Sequence, residues 1–591
     1  MAGWIRPEGA AFPNSDALPV HSSHHNATGI PGVPPGLGAP LLAAPRNLRL
    51  MNGDPGERRV PQYDYDWIVI GSGFGGSVSA LRLAEKGYRV AVLECGRRFR
   101  DEDLPRNAWQ LSRYFWAPML GLKGLLRLTP FKDIFILSGS GVGGGSLAYA
   151  ATLYRAPGVY FQHPQWRDLD DWETRLRPHY DTAERMLGVT EVPFESEADR
   201  LLKELGEHLG CADTFQKTRV GIYFGTPKAT VADPYFGGEG PARTGCHRCG
   251  ACMMGCPYGA KNTLVRNYLF FAERRGVQIL AERTVTDVRP QRAADGGDGY
   301  VVTHERTGAW FAKDRRTLTA RGVIFAAGAL GTNRLLADCK HGGSLPALSD
   351  RLGHLVRTNS ETMVAVTMPR NDKLWQSVSI TGSIFPDPRS HIEMVTFGKD
   401  ADAMGLLFTL LTGKGTRLIR PLLALGAVLR HPVKFVRKLW PFGWSRHTVV
   451  TGVMQSLDNA MRFRAKRKLF GRGIKLTTEQ DPQHPVPTFF PIANETAEWF
   501  AAKTGGTAQS FIPEALFNIP ATAHILGGAV IGKDEESGVI NARHEVFGYR
   551  NLLVCDGAAV PANPGVNPSL TITAMAENAM SHIPVKAGAS L

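Results

Sequence analysis

The sequence predicts an α/β chain in which a Rossmann-like, parallel-stranded domain is joined to a second, mostly antiparallel β domain. Three observations carry this. An apolar strand, a glycine-rich turn and an amphipathic helix follow one another directly from Asp66. A second apolar strand, Val323 to Ala327, runs into Gly328 and a helical pattern. From about Asn359 to Gln509 the residues alternate as antiparallel strands do, around one basic insertion.

Trp67 to Ile70 is a short apolar run suited to a buried parallel strand. Gly71, Gly73 and Gly76 then supply a tight turn, a close approach to a pyrophosphate and a helix–strand contact. Val78, Ala80, Leu81, Leu83 and Ala84 give the following helix its apolar face, and Gly87 ends it. Arg89 to Leu93 returns as a strand that closes on Glu94, eighteen residues past Gly76, where a carboxylate can accept hydrogen bonds from ribose hydroxyls and disfavours a 2′-phosphate. The complete unit predicts that the chain holds FAD or NAD(P).

Further along, Gly139, Gly141 and Gly143 to Gly145, followed by Ser146, form a second cluster that lets backbone N–H groups approach a ligand. His163 to Val189 reads as a helix packed through Trp166, Trp172, Leu176, Tyr180 and Leu187. Gln278 to Leu280 and Thr284 to Val288 read as strands. At the C-terminus, Leu552 to Cys555 is a strand, Asp556-Gly557 its turn, and Leu570 to Ile583 a helix.

With 591 residues and 43 % hydrophobic content, the chain can bury more than one core. Its first sixty residues, rich in Pro, Gly, Ala, Asn and His, read as a tail or surface strap. Met1 is not followed by a basic segment and an apolar core, no run is apolar enough to span a bilayer, and eight cysteines are few for a secreted scaffold, so a cytoplasmic protein is expected. Net charge is +14, and residues 405–470 hold thirteen Lys or Arg against one acid, Asp458. Leu422, Leu425, Leu429, Val433, Val436 and Trp440 recur there at helical spacing, with Pro432 splitting the stretch into two helices. Such a basic, apolar-faced pair suits an anionic membrane surface, and an ordinary packed insertion is the alternative. No nucleic-acid recognition motif accompanies the charge.

Asp556-Gly557, Pro561 and the run from Gly565 through Asn567-Pro568-Ser569 to Ile572 resemble the C-terminal signature of the GMC (glucose-methanol-choline) oxidoreductases. His524-Ile525-Leu526-Gly527-Gly528 resembles the motif carrying that family's active-site histidine. With the two glycine clusters, the resemblance spans most of Tyr65 to Pro584 and is nearest the cholesterol oxidase and steroid-alcohol branch. It implies a p-hydroxybenzoate hydroxylase-like architecture. Residues 63–158 and 266–345 would form the FAD domain, 159–265 connecting helices with a Cys-rich insertion, 346–520 the substrate domain, and 521–591 a closing FAD and active-site segment, after a tail at 1–62. FAD would be held by Gly71, Gly73, Gly76, Glu94, Gly144, Gly145, Ser146, Gly557, Asn567 and Pro568, with Val285 against the adenine.

The implied chemistry is oxidation of a lipophilic secondary alcohol, such as a 3-hydroxysteroid, by hydride transfer to flavin. The step needs a proton acceptor near the hydroxyl, a role that suits His524, with Asn567 as an amide partner for the substrate oxygen. Steroid-oxidising relatives use a carboxylate on a substrate-domain strand to move a double bond. Glu393 in HIEMVTF matches, and Glu361 competes with it. Two departures stand out. Ala148-Tyr149 replaces an Asn common after the glycine cluster, and Cys246, Cys249, Cys252 and Cys256-Pro257 carry the spacing of a ferredoxin segment. A [4Fe–4S] cluster there would make the protein a dehydrogenase passing electrons to a partner. Zinc, a redox disulfide or plain reduced thiols in a turn are the alternatives, and without a cluster molecular oxygen is the easier acceptor. Two further classes remain at this point, a flavoprotein with non-redox lipid chemistry and a flavin-binding protein of the membrane surface.

Overall fold

The computed structural model describes residues 63–371, 373–468 and 473–589; the tail expected at 1–62 lies outside them. A seven-stranded sheet forms the first core. Its order is Gln278–Leu280, Val90–Leu93, Tyr65–Ile70, Arg316–Phe325, Tyr300–Arg306 and Arg283–Pro290, with Leu552–Val554 also paired to Arg316–Phe325. The pairings from Gln278–Leu280 through Arg316–Phe325 and on to Leu552–Val554 are parallel. Tyr300–Arg306 and Arg283–Pro290 add an antiparallel edge. Ile68, Val69, Ala91, Val92, Ile324 and Phe325 are fully buried, as strands covered on both faces require.

Helix Phe74–Glu85 packs against the C-terminal helix Ser569–Ser581 and against Tyr268–Arg274, and Trp172–Leu187 flanks the C-terminal helix. Arg82 closes the bundle on Glu577 at 2.7 Å, and the Tyr268 hydroxyl donates to the same carboxylate at 2.6 Å. The helix expected from His163 starts only at Trp172. Asp171 caps it by accepting from the Thr174 N–H, while residues 164–169 form turns that stack Trp166 on Trp172 at 4.6 Å.

The second sheet is antiparallel, ordered Phe408–Leu410, Thr507–Phe511, Thr362–Thr367, Thr448–Gln455, Ser390–Thr396, Ile380–Asp387 and Gln216–Lys217. The basic window divides into two unrelated pieces. Helices Ile419–Arg430 and Pro432–Leu439 hold one set of cations, and Arg462, Arg464, Lys466 and Arg467 lie instead on a hairpin, Met461–Arg467 with Ile474–Gln480. Charge counted along a window averages over elements that the fold separates. Among the described residues no helix is long and apolar enough to cross a membrane.

Candidate active site

The glycine turn after Tyr65–Ile70 is shaped by backbone approach. A Cβ on Gly76 would lie 2.1 Å from the Gly71 carbonyl oxygen, whereas one on Gly73 would meet nothing within 4 Å and would project into open space at the N-terminus of helix Phe74–Glu85. That is the cradle a pyrophosphate needs. Gly144 of the second cluster has φ +52°, and a Cβ on it would come 2.7 Å from the Gly73 Cα, so the two glycine loops meet. Gly145 opens the short helix Gly145–Ala148 behind them. The buried Glu94 carboxylate is held by the Ser72 hydroxyl at 2.7 Å and the Gly96 N–H at 2.7 Å. Its backbone carbonyl accepts from Arg283 at the head of the strand that carries Val285. The Ser146 hydroxyl is spent inside the loop, donating to the Gly143 carbonyl at 2.7 Å and accepting from the Leu264 N–H.

Gly557 follows the Asp556 cap, and its carbonyl accepts from Gly527 at 2.8 Å, tying this turn to the segment of His524. Burial pushes the Asp556 carboxyl up to about 6, against the hydrogen bonds it accepts from Thr332 and Ala558.

His524 and Asn567 come together with two carboxylates. The Nδ1 of His524 lies 2.7 Å from the Glu361 Oε2. The other Glu361 oxygen accepts from the Thr522 hydroxyl and from the Ala523 and His524 N–H groups. A carboxylate at this distance fixes Nδ1 as the protonated nitrogen and leaves Nε2 as the acceptor. Burial pulls the His524 pKa down, but the Glu361 charge and hydrogen bond, with Glu393 behind them, reverse this and raise it. On the interior strand Ser390–Thr396, Glu393 accepts from the Asn567 amide at 3.3 Å. Burial drives its carboxyl up to about 7, opposed by Asn567 and His524. The Glu393 Oε2 and Asn567 Oδ1 are buried without a partner, as are both ring nitrogens of His391, two residues before Glu393 on the same strand face. Orphaned polar atoms converging on one place mark where a ligand belongs. Pro568 then leads directly into helix Ser569–Ser581.

Segment 355–361 builds this site, and of it only Glu361 stood out in the sequence, as a rival to Glu393. Arg357 exchanges backbone hydrogen bonds with Leu526, two residues past His524. Asn359 accepts from the Gly565 N–H at 2.8 Å and donates to the Val566 carbonyl at 3.1 Å, gripping the turn that carries Asn567. Leu355, Asn359 and Ser360 all have positive φ, backbone strain gathered just before Glu361. Arg357 through Glu361 is an unbroken polar run in the sequence, and only the structure reveals that all five residues are buried.

The four cysteines correct an expectation. Cys246, Cys249, Cys252 and Cys256 line one small cavity with His247, Tyr258 and Lys261. Yet no three His, Cys, Asp or Glu side chains among the described residues are gathered to hold a metal ion. Burial pushes the Cys246, Cys249 and Cys252 thiols up. In their midst the buried Lys261 ammonium donates to the Leu147, Tyr149 and Cys252 carbonyls at 2.7–3.0 Å, tying the cysteine turn to the end of the second glycine loop. By that geometry these described residues do not form an iron–sulfur or zinc site.

Residues 66–391 match the family described as FAD dependent oxidoreductase, and residues 459–576 match the GMC oxidoreductase C-terminal family. The chain is 50 % identical over 536 residues to a cholesterol oxidase of Mycobacterium tuberculosis, covering 88 % of this chain and 92 % of that one. It is 44 % identical to a cholesterol oxidase of Acinetobacter baumannii over 89 % and 96 % of the two chains. The chain belongs to the GMC oxidoreductase family. Within this family of FAD-dependent oxidoreductases, the fold also matches pyridoxine 4-oxidase from Mesorbium loti, with TM-score 0.55 at 14 % identity over 87 % of this chain and 98 % of that one.

Proposed function

We propose that this protein oxidises the 3-hydroxyl of a sterol such as cholesterol to the ketone and then shifts the neighbouring double bond into conjugation. The observation that carries the reading is the convergence of the Glu361-held His524, the half-paired Asn567 and the buried Glu393 on unsatisfied polar atoms. The names of the two relatives at 44–50 % identity support the substrate class. FAD, when bound, supplies the hydride acceptor. Gly73 and Gly144 would admit its phosphates, Glu94 would receive its ribose, and Asn567 with Pro568 would help to hold it.

The His524 Nε2 takes the hydroxyl proton as the carbinol C–H leaves as hydride, while Glu361 holds the ring and balances the charge it gains. Asn567 has a second amide N–H beyond the one given to Glu393, and it can donate this to the substrate oxygen, leaving the hydroxyl proton to His524. The new ketone acidifies the carbon between it and the double bond. Glu393 removes that proton and returns it at the far end of the double bond, so the shift is proton-neutral. A carboxyl near pKa 7 can both accept and release a proton at neutral pH. The two relatives are named oxidases, which supports oxygen as the acceptor that restores the cofactor.

The test is an anaerobic mixture of flavin-loaded protein with cholesterol in detergent. Bleaching of the flavin absorption, recovering in air, is expected. His524→Gln should keep its flavin and lose turnover by at least ~100-fold. No bleaching with cholesterol removes sterols and leaves other lipophilic alcohols; undiminished turnover in His524→Gln removes the base assigned here.

A further inference from the structure

Helix Ile419–Arg430 is built inside out. The residues it turns to the protein are Arg420 and Ala424, both buried, with Ala427 and Val428 half-covered. Its large side chains point away: Leu418, Leu422, Leu425 and Leu429 recur at one helical spacing and are 83 %, 67 %, 55 % and 72 % exposed. Helix Pro432–Leu439 continues the surface with Val433, Val436 and Leu439, and Trp440 and Phe442 follow, all more than half exposed. Trp109, from a distant part of the chain, stacks on Phe442 at 5.7 Å and extends the patch. A helix folded for water would hide its leucines and show its alanines.

Charge selects the occupant. Residues 403–446 contain no acid, while Lys414, Arg417, Arg430, Lys434, Arg437 and Arg446 are exposed around the apolar face. Asp402, at the edge, is consumed by the Gly443 and Ser445 N–H groups. A second copy of this chain would bring these cations against one another. An anionic lipid surface would receive the leucines among acyl chains and the cations at the head groups. Neither helix, at 12 and 8 residues, is long enough to cross a bilayer, so both lie in its plane.

The inward face of helix Ile419–Arg430 lies two links from the active site. The Arg420 guanidinium donates to the Thr488 carbonyl at 2.7 Å and to the Asn518 side chain, beside the Glu514 carboxylate. Glu514 in turn accepts from Thr362 at 2.7 Å, next in sequence to the Glu361 that holds His524.

We infer that helices Ile419–Arg430 and Pro432–Leu439 form an in-plane docking surface that seats the enzyme on an anionic phospholipid bilayer. As the route by which a sterol reaches the site, this rests on the function proposed above; as a lipid-binding surface it stands alone.

The experiment is sedimentation of the holoenzyme with sterol-free vesicles of phosphatidylcholine, with and without phosphatidylglycerol. Binding is expected only with the anionic lipid and should weaken with salt. The double substitutions Leu422→Ser with Leu425→Ser, and Lys434→Ala with Arg437→Ala, should each weaken binding by about 10-fold or more. Both variants alter exposed side chains and should keep the full flavin content and wild-type turnover of detergent-dispersed cholesterol. Failure of the wild type to sediment with anionic vesicles, or equal binding by the leucine variant, overturns the inference. So does a dimer in solution that the leucine variant dissociates, which would assign the face to a second copy. Lack of sterol turnover alongside intact vesicle binding would count against the proposed function and not against the docking surface.

Discussion

Glu361 grips His524 twice, with one oxygen 2.7 Å from the imidazole Nδ1 and the other accepting the His524 backbone N–H at 3.1 Å. Ring and main chain are therefore oriented by one carboxylate, which reaches them from a residue 163 positions earlier. Glu361→Gln keeps the shape and removes the charge. Since Glu361 holds the His524 pKa up and the base must be neutral to accept a proton, activity in the wild type should fall as pH drops through a raised value. In the variant the acid limb of kcat/KM should move to lower pH, while the plateau drops by about 10²-fold or more through lost charge balance. An unmoved acid limb would assign that ionisation to another group.

Glu393 should separate the two halves of the reaction. Glu393→Gln should still bleach the flavin with cholesterol yet release a ketone lacking the conjugated-enone absorption. Because the folded carboxyl titrates near 7, well above its unfolded value, ionisation favours the unfolded chain between those two pKa values, and stability is lost as pH rises through that window. The variant removes this penalty and should be more stable than the wild type at pH 8, by about 1–3 kcal/mol, with the difference closing below about pH 5. Equal melting profiles at both pH values would show that Glu393 is not a buried strained acid.

Asn359 offers a positioning test at a distance from the chemistry. Its side chain holds both sides of the Gly565-Val566 turn, and its φ is +58°. Asn359→Ala should cost about 1–3 kcal/mol for the lost buried hydrogen bonds, besides strain at the left-handed backbone. Asn359→Gly should recover the strain, about 1 kcal/mol, and no more. If Asn567 is placed through this turn, both variants should lose kcat while keeping their flavin. A loss of stability with kcat intact would make Asn359 purely structural.

The contrast between what the sequence disclosed and what it hid follows from the range of the interactions. Trp67 to Glu94 is local: strand period, turn glycines and helix face all fall within about thirty residues, so the pattern carries the fold. His524 and Asn567 were legible because short motifs surround them. Glu361 was visible only as a rival to Glu393, since its role depends on a partner far along the chain, and Asn359 has no motif at all. The cysteine spacing measured separation along the chain without giving the direction or protonation of the sulfurs. Pro432 correctly marked the break between two helices, but only the structure reveals that their leucines face outward.

The two glycines of the first turn should fail in opposite ways. A Cβ on Gly76 would strike the Gly71 carbonyl at 2.1 Å and approach the Ala326 Cβ at 3.2 Å, contacts that only a backbone shift can relieve. Gly76→Ala should therefore yield little folded protein. Gly73 sits at φ −71° with nothing within 4 Å of its would-be Cβ, so alanine fits the empty chain without strain. If that open space belongs to the cofactor phosphates, Gly73→Ala should express as folded protein with apo stability within about 0.5 kcal/mol of wild type and a sharply lower FAD content. Gly73→Ala binding FAD as tightly as wild type would move the pyrophosphate elsewhere, and with it the assignment of the adjoining Gly144 loop.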